Sequence, residues 1–596
     1  MKSAFFIFLG LSLQFGMCFK GFAQQDSLKN SIKDSPITKE IVDAITKGPE
    51  KDTVINKKSE DAFLPYQGRI IRKITIQHLG FERTFYNGTS KARKTIINIG
   101  NALHTNTKEE IIRDNLFLEE GKQLNPYKAA DNERYLRDLQ FILDARIEPH
   151  PAGRDSVDLV VITRDVFSLG GSISPRSANE ATFGIYDANL LGYGQRLEYN
   201  ALIDGDRNPT YGQEMIYEKS SIGGTLVNLS MAYTSLNTGS SYGDEYESAT
   251  YLKLNRPLVS PYTRMAGGFE LSNNWSMNLD QKPDSLFLKY AYDIYDVWTG
   301  YNIGIHNITR NRSRHFVAVR WFRQVFKEYP QQEIVYDDPR YNNNSFALAE
   351  FTFFNQNFYT TRYIYGFGRT EDVPYGYTAH LTAGWTNQLD KKRLYVSGGI
   401  TKKVVTHRGD FFEGSVQAGT FFKNGPEDAT LLFSFDWFSR LRYQRHVMVR
   451  QYLRSTYTVQ LNQKINPLLE VGNEFGVRGF KADSLGGNAR LGISSETVFF
   501  TNWKLLGFHF APITYADMAF LAPPGKNLFY DKPYIGLGTG MRTRNENLIF
   551  GTIELRITYY PIVVEDISHF KISVSTNLRI KYTDTFVRAP SFLRVN

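Results

Sequence analysis

The sequence predicts an all-β transmembrane barrel of about 16 antiparallel strands, preceded by one small α+β domain. Three observations carry this. With 36 Tyr, 43 Phe and 6 Trp the chain is 14% aromatic, and it holds 47 Gly. Yet its mean hydropathy is −0.36, and after the first residues no uncharged apolar run is long enough for a membrane-spanning helix. From Phe167 onward, two-fold alternations of apolar and polar residues follow one another between Gly, Asn, Asp and Pro. The first residues have the build of a secretory leader. Four soluble domains would suit 596 residues, but this profile matches a strand-built membrane protein better.

The leader starts with Met1-Lys2. An apolar stretch opens at Ala4-Phe5-Phe6-Ile7 and reaches Phe19, and the small residues of Gly21-Phe22-Ala23 place cleavage after Ala23. Cys18, the one cysteine, lies inside it. Met17 is too large for a lipoprotein signal, so the mature chain, 24–596, has no thiol or disulfide chemistry. Loss of Lys2 and Lys20, with no acid in the leader, lowers the net charge of +9 to +7. The Lys and Arg are scattered, which argues against a nucleic-acid partner.

Residues 24–64, polar and poor in aromatics, read as a flexible linker. Residues 65–166 read as the small domain. A strand alternates from Ile70 to Gln77. Thr107-Lys108-Glu109-Glu110 has the form of a capping box, with Ile112 and Leu116 on one face of a helix that stops at Gly121. Asn125-Pro126 caps a second helix reaching about Gln140, with Leu136 and Leu139 inward. Strands from Phe141 to Glu148 and from Val157 to Thr163 complete a β-α-α-β-β order.

The stretches Leu116-Phe117-Leu118-Glu119-Glu120-Gly121-Lys122, Arg134-Tyr135-Leu136-Arg137-Asp138-Leu139 and Ser156-Val157-Asp158-Leu159-Val160-Val161 resemble a polypeptide-transport-associated (POTRA) domain. About 30 residues, Leu79 to Asn106, separate the first strand from the first helix, more than that family usually shows.

In 167–596, Leu229, Met231 and Tyr233 alternate with Asn228, Ser230 and Ala232. Phe433, Phe435 and Trp437 alternate with Ser434 and Asp436, and Leu555, Ile557 and Tyr559 with Glu554, Arg556 and Thr558. In lipid every backbone group must be paired internally, so such strands must close on themselves around a wet lumen. The 430 residues from Phe167 to Asn596 allow 16 strands at about 27 residues per strand and loop.

Two segments resemble the bacterial surface antigen barrel, shared by outer-membrane assembly factors and two-partner secretion transporters. The first is the barrel-start turn Asn189-Leu190-Leu191-Gly192-Tyr193-Gly194, whose glycines permit a tight turn. The second is Val477-Arg478-Gly479-Phe480, followed by Gly486-Gly487, which matches that family's loop folded back into the lumen. Tyr515-Ala516-Asp517-Met518-Ala519 resembles the strand that carries its acidic partner. The resemblance implies that Arg478 meets Asp517, with Glu496 as second candidate. The end departs from the family: the last strand reads to Tyr582, and Thr583 to Asn596 follow it.

No catalytic pattern emerges. The ten histidines are dispersed without metal-ligand spacing, and there is no Gly-x-Ser-x-Gly elbow or nucleotide loop. The run Arg440, Arg442, Arg445, Arg450 and Arg454 could line a lumen or touch lipopolysaccharide phosphates, with a solvated strand face as the favoured reading. The resemblance implies an assembly or translocation factor of a Gram-negative outer membrane, its N-terminal domain in the periplasm. It would need no cofactor. Its partners would be unfolded outer-membrane or secreted polypeptides, outer-membrane lipid and accessory assembly proteins. The rival is a passive porin or transporter with a periplasmic scaffold.

Overall fold

The computed structural model describes residues 57–79, 105–175, 179–236, 243–303, 313–444, 447–472, 475–480, 482, 485–505, 507–545, 551–564, 567–575 and 587–595. The leader with Cys18, residues 24–56, the segment 80–104, Arg445 and residues 576–586 lie outside these.

The small unit has three strands, β1 (Ile70–Leu79), β2 (Ile142–Pro151) and β3 (Ser156–Asp165), with helices α1 (Glu109–Asp114) and α2 (Pro126–Asp138) between β1 and β2. The central strand β3 pairs parallel with β1 and antiparallel with β2. The Asn125 side chain caps α2, accepting from Tyr127 N at 3.0 Å and Lys128 N at 3.2 Å. The expected capping box at Thr107 does not form. The first helix starts after Lys108 without a side-chain cap and stops at Asp114, short of Gly121. Thr107 is engaged elsewhere, its N–H on Asp165 and its hydroxyl on Asn189. Asn115 ends the helix by turning its amide back onto the Ile111 carbonyl. Ile71, Ile74, Ile112, Leu136, Val157, Leu159 and Val161 form the core of this unit.

Among the described residues the rest forms one 23-stranded sheet. Three of its strands are pieces of two or three residues. The other twenty run from Leu169–Pro175 to Phe570–Ser575, each antiparallel to the next. The expectation of about 16 is corrected: several connections are far shorter than supposed, such as the two-residue turn between Glu371–Gln388 and Lys391–Val405. Strand length varies widely. The middle strands Asn344–Thr361 and Glu371–Gln388 have 18 residues each. At the two ends, Leu169–Pro175 has 7, Glu180–Asp187 has 8, Ile553–Tyr559 has 7 and Phe570–Ser575 has 6 described residues.

Polarity across the sheet is inverted relative to a protein cored in water. On Ile553–Tyr559 the exposed residues are Leu555, Ile557 and Tyr559, whereas Glu554, Arg556 and Thr558 are buried. On Ser313–Glu328, Val317, Val319 and Trp321 are exposed, and Arg314, Phe316 and Ala318 are covered. The sheet curls so that distant strands share one interior. The Thr552 hydroxyl, at the start of Ile553–Tyr559, donates to the Tyr365 carbonyl beyond the end of Asn344–Thr361 at 3.1 Å. Arg450 and Arg454 face this interior, which corrects their reading as a solvated face. Arg450 is buried and donates to the Ser439 and Arg362 carbonyls, and Arg454 pairs with Asp436 at 2.6 Å. Arg440 and Arg442 are exposed.

The small unit docks on the turns at one end of this sheet. Ser260 Oγ donates to Asp131 at 2.6 Å, Ser221 Oγ to the Asp114 carbonyl at 2.8 Å, and Leu226 and Val259 join the core of the small unit. The strongest link is ionic: Arg137 reaches Asp372 at 2.7 Å and Glu133 at 2.6 Å, almost wholly buried. Burial works against the Arg137 charge, but Asp372 and Glu133 outweigh it and raise its pKa. Removing one partner of a buried pair strands the other charge, at a cost of about 3–5 kcal/mol. Asp372→Ala is therefore expected to loosen docking and raise amide exchange across α2, while the ladder of the large sheet keeps its protection. Unchanged α2 exchange would show that the pair does not hold the two together.

Candidate functional site: an ion chain inside the curled sheet

The barrel-start turn lies at the docked end. Asn189 precedes a single 3-10 turn, Leu190–Gly192, in which Leu191 takes φ +53° and Gly192 φ +77°. Asn189 organises it, accepting from Gly194 N at 2.7 Å and donating to the Thr107 hydroxyl at 2.8 Å. The glycine at 192 serves more than turn geometry. A Cβ there would lie 2.4 Å from the Asn106 carbonyl oxygen, and one at Gly194 would crowd Ile111 and Phe141 of the small unit. The turn is thus a docking surface as well as a connection.

The segment 462–488 connects Val447–Leu461 to Ala489–Phe500 at the opposite end of the sheet, and its described residues 469–471 and 475–480 fold back inside. Asp428 gathers its start by accepting from the N–H groups of Lys464, Ile465 and Asn466. A bridge between Leu469 and Gly487 closes its base. Val477 and Phe480 are fully buried with Leu469, Val471, Ala519, Leu521 and Tyr560. Between them the chain turns at Gly479, φ +69°, which leaves Arg478 pointing at the wall.

Arg478 meets both acids. Its Nε donates to Asp517 Oδ2 at 2.9 Å, its Nη2 to Asp517 Oδ1 at 3.1 Å, and its own N–H to Oδ2 at 3.1 Å. Its Nη1 donates to Glu496. The guanidinium carbon lies 4.3 Å from the centre of the Tyr515 ring. The Tyr560 hydroxyl donates to the Arg478 carbonyl at 2.6 Å. The wall is cut to fit: a Cβ at Gly538 would strike the Tyr515 ring at 2.2 Å, and one at Gly492 would lie 2.0 Å from the Phe475 carbonyl oxygen.

The pairing does not stop there. Glu496 also accepts from Arg542 at 2.9 Å, Arg542 Nε donates to Glu554 at 2.7 Å, and Glu554 accepts from Arg556. Three cations and three anions thus alternate in the order Asp517, Arg478, Glu496, Arg542, Glu554, Arg556, buried across four neighbouring strands and one loop. Alternation makes the chain internally neutral, which such burial demands. Sequence reading missed Arg542, Glu554 and Arg556 as members. Their signal was the two-fold period, which puts Glu554 and Arg556 on the polar face of one strand without saying what that face meets.

No protein-family model and no curated protein matches the chain. Its structural neighbours are BamA and CdiB. BamA from Haemophilus ducreyi lacking POTRA domains 1-3 is 11% identical, with 85% of each chain covered and a TM-score of 0.33. CdiB from Acinetobacter baumannii is 9% identical over 85% of this chain and 74% of that one, at 0.40. CdiB from Escherichia coli is 10% identical over 91% and 99%, at 0.39.

Replacing Arg478 by Ala leaves Asp517 without its bidentate partner and Glu496 with one arginine fewer. The expected cost is about 3–5 kcal/mol, read as a lower temperature for the shift from folded to unfolded gel mobility. Asp517→Asn keeps acceptor and shape and should cost less. Equal melting of all three proteins would mean that the ion chain contributes nothing to holding the loop.

Proposed function

We propose that this chain is an outer-membrane β-barrel with one periplasmic POTRA-like domain, and that it inserts or exports other polypeptides. The observation that carries this reading is the unequal height of the sheet. Strands of 18 residues reach about 60 Å, whereas Glu180–Asp187 and Ile553–Tyr559, near its two ends and 8 and 7 residues long, reach about 24–27 Å. The outward apolar face, with Trp321, Trp385, Ile400 and Leu381 exposed, belongs in lipid. In our reading the two ends of the sheet meet as a seam. The low strands beside it thin the lipid there, so a client strand enters at least cost.

The small domain supplies the receiving edge. On β2 the edge is blocked: Glu133 accepts from Ile147 N, Arg137 donates to the Ala145 carbonyl, and Pro149 and Pro151 offer no N–H. On β1 the first half is covered, with Ile71 N on the Lys122 carbonyl and Ile74 N on Glu120. Strand alternation turns the main-chain groups of Ile76 and His78 the same way, to an edge that no described residue pairs with. An unfolded client, we infer, adds a strand there by main-chain pairing, which needs little sequence preference. A passive porin requires a free water path, and here the Arg478 loop and residues 363–367 both pack inside the sheet. The proposal includes no chemical step and no cofactor.

Depleting the protein and quantifying outer-membrane and secreted proteins tests the reading. Loss of many barrels would mark an assembly factor, loss of one or two a dedicated translocator, and no loss would sink the proposal. A chain carrying His78→Pro removes one outward donor while leaving the internal ladder of β1 intact. It should rescue depletion poorly though it folds and docks normally. Full rescue would move the client site elsewhere.

A further inference from the structure

Residues 587–595 occupy the interior of the sheet. Val587 packs with Leu258, Ala266, Phe316, Ala318 and Phe354, near the end where the small unit docks. Phe592 sits among Phe346, Tyr395 and Phe421, near the opposite end, and Val595 lies against the cluster that holds Val477 and Phe480. Nine residues extend at most about 30 Å, and they pass through these three clusters in turn.

How the wall holds this segment is informative. Arg320, itself clamped by Asp296 at 2.6 and 2.9 Å, donates to the Pro590 carbonyl at 3.0 Å. The Tyr395 hydroxyl accepts from Leu593 N at 2.8 Å. Arg490, fully buried and also bonded to the Glu470 carbonyl, donates to the Val595 carbonyl at 2.6 Å. All three wall groups address main-chain atoms, which every polypeptide presents. The tight side-chain contact is aromatic: the Phe592 ring lies 4.8 Å from Tyr395 and 4.9 Å from Phe346, both edge-on, and 5.5 Å from Phe421.

We propose that Arg320, Tyr395, Arg490 and the aromatic cage form a binding track for an extended polypeptide bearing an aromatic residue. Residues 587–595 fill that track in cis, so a client must displace them. The inference rests on the reading of this chain as a polypeptide-handling barrel. It adds where inside the barrel the polypeptide lies and what it competes with. Apart from the aromatic cage, recognition goes through the backbone, so the track accepts many sequences. The exchange is close to balanced, since three main-chain bonds are lost and three are made.

The test uses purified full-length protein in planar lipid bilayers, beside a chain ending at residue 586, with folding of each checked by gel mobility before and after heating. Truncation should raise the conductance well above that of the full chain, through the part of the interior that the Arg478 loop and residues 363–367 leave unfilled. A synthetic peptide of residues 587–596 should close it again, and the same peptide with Phe592→Ala should need about tenfold more for the same block. A folded truncated protein that stays closed would overturn the proposal, as would an open one that neither peptide blocks or that both block equally. If truncation prevents folding, the full chain with Phe592→Ala replaces it. Raised open probability then supports the track, and wild-type conductance overturns it. Failure of the underlying reading shows separately: peptide block intact with an unchanged proteome after depletion would leave the track as a self-plug in a barrel that handles no client.

Discussion

Inverted polarity is the constraint on which the rest of this molecule depends. The sheet turns its apolar side chains outward, so the charged and polar ones have to go inside. Charge in a space crowded by loop and wall is tolerable only where each group finds an opposite partner or a main-chain dipole. That requirement explains the alternating chain from Asp517 to Arg556. It also explains why buried Arg393 pairs with Asp428, and why Arg450 and Arg490 spend their donors on carbonyls of segments that fold inward.

The same requirement accounts for what fills the interior. Backbone carbonyls of the turn at 362–365, of the Arg478 loop and of residues 590–595 are acceptors for wall residues. Wall and filling therefore share hydrogen bonds, each supplying partners for buried polar groups of the other. A structure built this way holds its interior segments firmly, yet each is held by a small set of bonds that another polypeptide backbone can reproduce.

At the docked end the logic shifts to close packing. The turn at Asn189–Gly194 and the helices of the small unit approach so closely that the positions at 192 and 194 have no room for a side chain. The Arg137–Asp372 pair then fixes orientation. Within the small unit, Glu133 and Arg137 of α2 take up the β2 edge, and among the described residues nothing pairs with the outer side of the far half of β1.

Much was legible in the sequence because it depends on local period. The alternation at Leu555, Ile557 and Tyr559 against Glu554, Arg556 and Thr558 identifies strands with one apolar and one polar face. Asn125-Pro126 marks a helix start, since that signal lies in adjacent residues. The approach of Arg478 to Asp517 and Glu496 was reachable only through family resemblance. What the tertiary structure alone decided involves partners far apart in the chain. Twenty strands among the described residues replaced about 16 because connection length is weakly encoded. The Thr107 cap was lost because Asp165 and Asn189, distant in sequence, compete for the same groups. Arg450 went inside because the partner of a buried cation is set by how the sheet curls. Residues 587–595 found their place because a filled interior is a property of the closed packing and of no single segment.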